Sequence, residues 1–471
     1  LASVEKERYY MWSRKSSHCR RVLLAAVAGM LLAGVLRSAA AEPAPSIDSI
    51  LQRAWSAAGM EPAPPCADEV FLRRATLDLL GRIPTLEERR EFRASPDRQR
   101  LIERLLGSEE FISFWAELWT TQLYGYDLED TSGARLMLVD WLAAQLHSRR
   151  PYDEMVQELV SATGESAFSA PVNFLLRYPE EPIVKVSRAF LGIRLDCARC
   201  HDHPFDRWTQ QDFAGMSRFF DTIEREEVSP GNVRVVDVVR NVEAEERPRF
   251  LSGAVPRTSQ WRSEFALFVT RSRPFARNFA NQLWYHFLGR GIVHPVDDFS
   301  RDNPPVVPEL LEYLTDEARH SGFDLRHMIR LICNSRAYQL DSRAEAGDSR
   351  RRALFAVRPI KPLLPEQLYA SACTASGAAP NAEERRNFVR AYYGDALEGD
   401  FASTWEYRET LQGLMSRLVA NTRPASRNVE ELFIRYLGRQ PTAVELETCA
   451  GCSAGEVAYL LVHSSEFAFN H

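Results

Sequence analysis

Asp68-Glu69-Val70-Phe71-Leu72-Arg73-Arg74-Ala75-Thr76-Leu77-Asp78-Leu79-Leu80-Gly81 is the stretch on which the fold class turns. Its apolar residues Val70, Leu72, Ala75, Leu77 and Leu80 recur every two to four positions, a helical spacing rather than the strict alternation of a strand. Gly81 and the Pro84-Thr85 pair end the run. Thr85, followed by Glu87 and Glu88, then opens another helix with acidic side chains at the positive end of its dipole.

The same period continues downstream. Helices are expected over 98–106, 109–123, 135–145 and 152–162, and 182–196 reads as one further amphipathic helix that delivers the chain to Cys197. Within 109–123, Phe111, Phe114, Trp115, Leu118 and Trp119 form a stripe that reads as packing, because large rings at helical spacing bury much apolar area. Residues 221–257 differ: Val233, Val235, Val236, Val238 and Val239 favour extended backbone and Pro230-Gly231 marks a turn, so a hairpin or strand-bearing linker is expected. Helices resume from Trp261 through Leu288 and over 308–320 and 325–335, an extended crossing follows at 351–365, and the tail from 429 to 471 holds two more helices. The expected fold is mainly α: a multi-helical two-domain protein, with helical domains at 68–220 and 258–471 joined by a short β-containing linker at 221–257.

A length of 471 residues exceeds one ordinary core, and 45% hydrophobic with 26% charged residues is the balance of a soluble globular protein. The first 41 residues stand apart. Arg14, Lys15, Arg20 and Arg21 precede an apolar run from Val22 to Leu36, closed by Ala39-Ala40-Ala41, which is the pattern of a signal peptide. Translation is expected to start at Met11 and cleavage to follow Ala41; the apolar run is shorter than the ~20 residues of a spanning helix. Residues 42–67, rich in proline around a helical patch at 47–55, read as a lead-in. Losing residues 1–41 removes seven basic and two acidic side chains and moves the formal charge from −6 to −11. So acidic a surface argues against nucleic acid. No later segment is long and apolar enough to cross a bilayer, so the expected location is periplasmic or extracellular.

Seven cysteines lie beyond residue 41, too few for a disulfide-built scaffold of this length. Two of them head the strongest chemical signal, Cys197-Ala198-Arg199-Cys200-His201. Covalent haem attachment uses two thiols three positions apart, each adding to a vinyl group, with the adjoining histidine as proximal iron ligand. On that reading Cys197 and Cys200 hold haem c, His201 is the proximal ligand, and Met216 or His203 takes the sixth position, with His286 and His294 as further candidates. Phe205, Trp208, Phe213, Phe219 and Phe220 would supply an apolar wall or an ordinary core. Zinc held by Cys197, Cys200, His201 and His203 is an alternative, as is a disulfide-closed loop in a non-catalytic scaffold or binding protein of the envelope. Redox or envelope proteins are the expected partners. Cys449-Ala450-Gly451-Cys452 lacks a following histidine and reads as a disulfide or a pair of helix-end thiols. Asp202, Asp206, Asp297 and Asp298 read as surface or capping carboxylates rather than as acid and base groups.

Phe71 to Thr85, Phe190-Leu191-Gly192 and Cys197 through Trp208 closely resemble the second planctomycete cytochrome-related domain. Downstream, Pro274-Phe275-Ala276-Arg277, Asn281-Gln282-Leu283-Trp284, His286 to Gly291, Pro295 to Phe299 and the closing Ser464-Ser465-Glu466-Phe467 resemble its habitual C-terminal partner, a planctomycete-specific domain. The resemblance implies an exported protein of unknown function, named partly for its haem-like motif. Larger relatives of this kind add an N-terminal cytochrome c-like domain with its own haem motif, and no second C-x-x-C-H occurs in this sequence.

Overall fold

The computed structural model describes residues 45–125, 133–204, 206–240, 242–243, 246–343, 348–394, 413 and 425–471. The expected signal peptide therefore lies outside the described residues. Helix α1 (Ile47–Ala57) buries Ile47, Ile50, Leu51 and Trp55, one helical face, and Trp55 Nε1 donates to Leu354 O at 2.8 Å. The segment expected as a lead-in is thus docked on the body, and Ala63 and Cys66 continue the attachment through backbone bonds to Ala356 and Gln339.

Helix α2 (Asp68–Leu80) is buried on every side from Phe71 to Leu80, including Arg73, Arg74 and Asp78. Helix α3 (Leu86–Ala94) starts in a capping box: Thr85 Oγ1 accepts from Glu88 N at 3.2 Å while Glu88 accepts from Thr85 N at 2.7 Å. Helices α4 (Arg98–Leu106), α5 (Glu109–Tyr124), α6 (Ala134–His147), α7 (Tyr152–Ser161) and α8 (Ala170–Arg177) follow. The expected single helix over 182–196 is broken. Helix α9 (Pro182–Val186) passes into a π-helical turn at Ser187–Leu191, ends at Gly192, and is followed by a separate 3₁₀ turn at Asp196–Arg199. The cause is tertiary: Asn278 Nδ2 donates to Ala189 O at 2.7 Å and Phe299 N to Gly192 O at 2.9 Å, taking carbonyls that a regular helix would use internally.

Helix α10 (Gln210–Ser217) leads to the expected hairpin. Strands β2 (Ile223–Ser229) and β3 (Asn232–Asp237) pair antiparallel around Gly231, and β1 (Gly164–Glu165), which sequence reading missed, joins β3 to give the order β1-β3-β2. The hairpin is anchored by the fully buried Arg262, whose Nε and Nη2 reach Asp237 at 2.7 and 2.8 Å and whose other bonds go to Val160 O and Ala162 O. The stretch from Trp261 to Leu288 is two helices, α11 (Trp261–Arg271) and α12 (Arg273–Leu288), separated where Ser272 caps Phe275 N at 3.3 Å and Pro274 begins the new helix. Helices α13 (Pro308–His320), α14 (Leu325–Cys333), α15 (Pro365–Ser376) and α16 (Ala382–Gly394) continue. The tail holds four helices rather than two, at Val429–Leu437, Ala443–Thr448, Ala454–Val462 and Ser465–Ala468, before β5 (Phe469–Asn470) pairs with β4 (Lys361–Pro362).

Ile47–His471 forms one compact unit. Its main apolar cluster draws on residues from Ile47 to Val357, crossing the hairpin without a break, and a second cluster gathers Leu77 and Ile83 with residues 363–467. The segment 221–257 therefore separates stretches of sequence rather than cores. Among the described residues no helix is long and apolar enough to cross a membrane.

Candidate functional site

The Asp196–Arg199 turn presents Cys197 and Cys200 to solvent as free thiols. Residues three apart eclipse one another in a 3₁₀ turn, so both sulfurs share a face. The turn is pinned by Ala198, fully buried beside the fully buried Leu195, and by Arg188, which donates to Asp196 Oδ2 at 2.6 Å. Behind it the loop carries its own bonds: Gln210 N donates to Asp202 Oδ1 at 2.8 Å, Gln210 Nε2 to Cys200 O at 2.9 Å, and His203 N to Trp208 O at 2.8 Å. His201 is exposed, with Nδ1 at 2.8 Å from Asp202 O. A carbonyl accepts only, so the proton is assigned to Nδ1 and Nε2 keeps an open lone pair. Two thiols on one face beside such an imidazole are a donor set that fits covalent haem attachment.

Met216 is fully buried within the main apolar cluster, whereas His203 stays half-buried in the loop. Phe219 and Phe220 pack on Phe265 at 4.7 and 5.4 Å between ring centroids and belong to the core under α11; Phe205 lies outside the described residues. Among the described residues no three His, Cys, Asp or Glu side chains are grouped to hold a metal ion. His294 stacks on Tyr285. Cys449 and Cys452 are unpaired helix-end thiols, and Asp202 and Asp297 serve as a cap and as the partner of Arg194 at 2.6 Å.

Beside this turn opens a cleft of about 860 Å³ with Arg199 on its rim. Helix α5 supplies Trp115, Leu118 and Trp119; the α9 segment supplies Lys185 and Arg188; α12 supplies Phe279 and His286. Part of the aromatic stripe read as packing is therefore also a cleft wall. Lys185 donates to Gln122 O at 2.8 Å and lies 4.9 Å from the Tyr178 ring centre, and among the described residues no carboxylate pairs with it. Burial, with Arg177 and Arg188 nearby, holds its pKa down to about 8. Arg188 and Arg199 are each compensated, by Asp196 and Glu181. The Trp115 indole N–H is buried with no acceptor.

Residues 46–225 match PSCyt2, a protein family of unknown function (DUF1549), and residues 262–392 match PSD1, a second family of unknown function (DUF1553). The chain thus carries a PSCyt2 region followed by a PSD1 region. No curated protein and no solved structure matches it. The cleft is built from both modules, since PSCyt2 gives Trp115, Lys185 and Arg199 while PSD1 gives Phe279, Leu283 and His286.

The two modules also meet at Asp78, a fully buried carboxylate of the PSCyt2 module. PSD1 surrounds it: Lys361 Nζ lies 2.5 Å from Oδ1, the Tyr338 hydroxyl donates to Oδ2 at 2.9 Å, and Arg358 stands at 3.5 Å. Burial opposes ionisation of Asp78, but Lys361 and Arg358 outweigh it and hold its pKa below the usual value. His286 Nε2 donates to Asp78 O at 3.0 Å, and burial with the nearby Lys361 lowers its pKa to about 4. At neutral pH the cleft therefore carries an uncharged imidazole with Nδ1 as acceptor. Sequence reading passed over Asp78; its one signal was a carboxylate enclosed by Leu77, Leu79 and Leu80.

Proposed function

We propose that this PSCyt2–PSD1 protein is an exported haem c protein that passes or accepts electrons, with Cys197 and Cys200 as thioether attachment points and His201 as proximal ligand. The observation that supports it is the pair of unpaired, exposed thiols on one face of the Asp196–Arg199 turn, next to an imidazole with Nε2 open. Haem attached there supplies one-electron transfer, and its surface position gives a redox partner access. Ala198 and the Arg188–Asp196 pair keep the two thiols in register, while Asp202 and Gln210 hold the loop that carries His201. His203 is the sixth-ligand candidate, because the Met216 thioether is spent in the core. A second reading, a binding protein of the envelope without a redox group, is favoured by the hydrogen bonds from Gln210 to Asp202 and Cys200, which hold the loop through its own residues.

The test compares the visible spectrum and intact mass of protein exported from a host with c-type haem maturation against Cys197→Ala/Cys200→Ala. A covalent haem mass with reducible Soret and α bands, lost in the variant, is the expected outcome. A colourless wild-type protein of polypeptide mass overturns the haem reading and leaves the binding protein.

A further inference from the structure

The cleft is a built ligand site in its own right. Its volume of about 860 Å³ falls in the range that encloses small organic molecules, and such sites favour the junction between modules. The lining is dominated by rings and aliphatic side chains. Its charges are not balanced evenly: Arg188, Arg199 and Asp297 all have partners, leaving Lys185 as the cation with only a carbonyl and a ring for company. Lys185 is half-buried, and an ammonium partly withdrawn from water with no counter-ion is stabilised by an arriving anion. Glu180 lines the cleft too, but it is exposed, so water screens it more than it screens Lys185.

The rest of the wall is aromatic and apolar: the Trp115, Trp119, Tyr178 and Phe279 side chains line the same cleft, and His286, uncharged near neutral pH, lines it as well. A cationic guest is disfavoured by Lys185, and a purely apolar one leaves the ammonium unanswered.

We propose that the cleft between α5, α9 and α12 binds a small aromatic carboxylate, its ring against Trp119 and Tyr178 and its carboxylate on Lys185. The site does not depend on any group attached at Cys197 and Cys200.

Calorimetric titration of the full chain with 2-naphthoate, and with 2-naphthylmethanol as the uncharged equivalent, tests this. One-site binding of the acid is expected, with the alcohol about tenfold or more weaker. Lys185→Met should weaken the acid about tenfold and leave the alcohol unchanged. Ala189→Trp, which fills the cleft, should abolish both. Equal affinity for acid and alcohol, no binding of the acid up to about 5 mM, or an acid affinity indifferent to Lys185→Met overturns the proposal. If Lys185→Met does not fold, the acid–alcohol comparison on the wild-type chain decides alone. Cys197→Ala/Cys200→Ala should bind the acid as the wild type does, whether or not the wild type carries haem; binding seen only in that variant would mean the attached group fills the cleft, and the proposal falls.

Discussion

The side-chain amide of Asn470 donates to the carboxylate of Asp78 at 2.9 Å, tying the last strand of the chain to α2 across 392 positions. The Asp78 carboxylate is thereby closed off by Lys361, Tyr338, Arg358 and Asn470, and it neutralises Lys361 and Arg358 in a fully buried setting. Removing one partner of a buried ion pair leaves the others charged and dry. Asp78→Asn is expected to cost about 3–5 kcal/mol in urea unfolding, against about 1–3 kcal/mol for Asn470→Ala, which takes one hydrogen bond from a carboxylate that keeps its cationic partners.

The same network sets a pH dependence. The His286 pKa falls from 6.5 to about 4 on folding, so the unfolded chain gains the proton first as acid is added. Stability contributed by the neutral imidazole is complete above pH 6.5 and drains away as pH falls towards 4; Asp78, also depressed, loses its contribution at still lower pH. Thermal unfolding should therefore occur at lower temperature at pH 4.5 than at pH 7. His286→Gln should flatten that slope by about 2–3 kcal/mol, the partly cleft-facing ring keeping the figure at the lower end. A slope unchanged in the variant would assign the acid sensitivity elsewhere.

The thiols differ in exposure. Cys197 and Cys200 face solvent, Cys452 is half-buried, and Cys66, Cys333, Cys373 and Cys449 are buried, where burial with Asp78 nearby pushes the Cys333 thiol well up. In protein made without haem maturation, Ellman's reagent should find two fast thiols that disappear in Cys197→Ala/Cys200→Ala, with Cys452 reacting more slowly and the buried set only on unfolding. Protein matured with haem should lack the same two fast equivalents.

Local signals were legible where one segment decides its own state. The capped start at Thr85, the turn at Pro230-Gly231 and the periodic runs of α4, α5 and α13 depend on residues a few positions apart. What was not legible depends on partners distant in the chain. The break after Val186 comes from Asn278 and Phe299, β1 exists because β3 is there to receive it, and the burial of α1 depends on contacts near 340–356. The site divides the same way. The Cys197–His201 spacing is local and was readable, whereas the cleft and the Asp78 network need PSCyt2 and PSD1 residues together, and no single window shows them.

Gly192 tests that dependence directly. It closes the π-turn at φ +69°, a backbone region costly for residues with a side chain, and a Cβ there would meet the Phe299 ring at 2.5 Å and Asn278 Oδ1 at 2.9 Å. Gly192→Ala therefore combines a left-handed penalty of about 1–2 kcal/mol with overpacking of about 1–3 kcal/mol. Asn278→Ala, which strands the Ala189 carbonyl without touching the backbone at 192, should cost only about 1–3 kcal/mol. Because Gly192 lies between the Lys185–Arg188 wall of the cleft and the Cys197 turn, yielding at this point displaces both. Urea unfolding of the two variants beside the wild type orders them as Gly192→Ala, then Asn278→Ala, in loss of stability; the reverse order would mean that the stranded carbonyl, not the close approach of Phe299, is what breaks the helix.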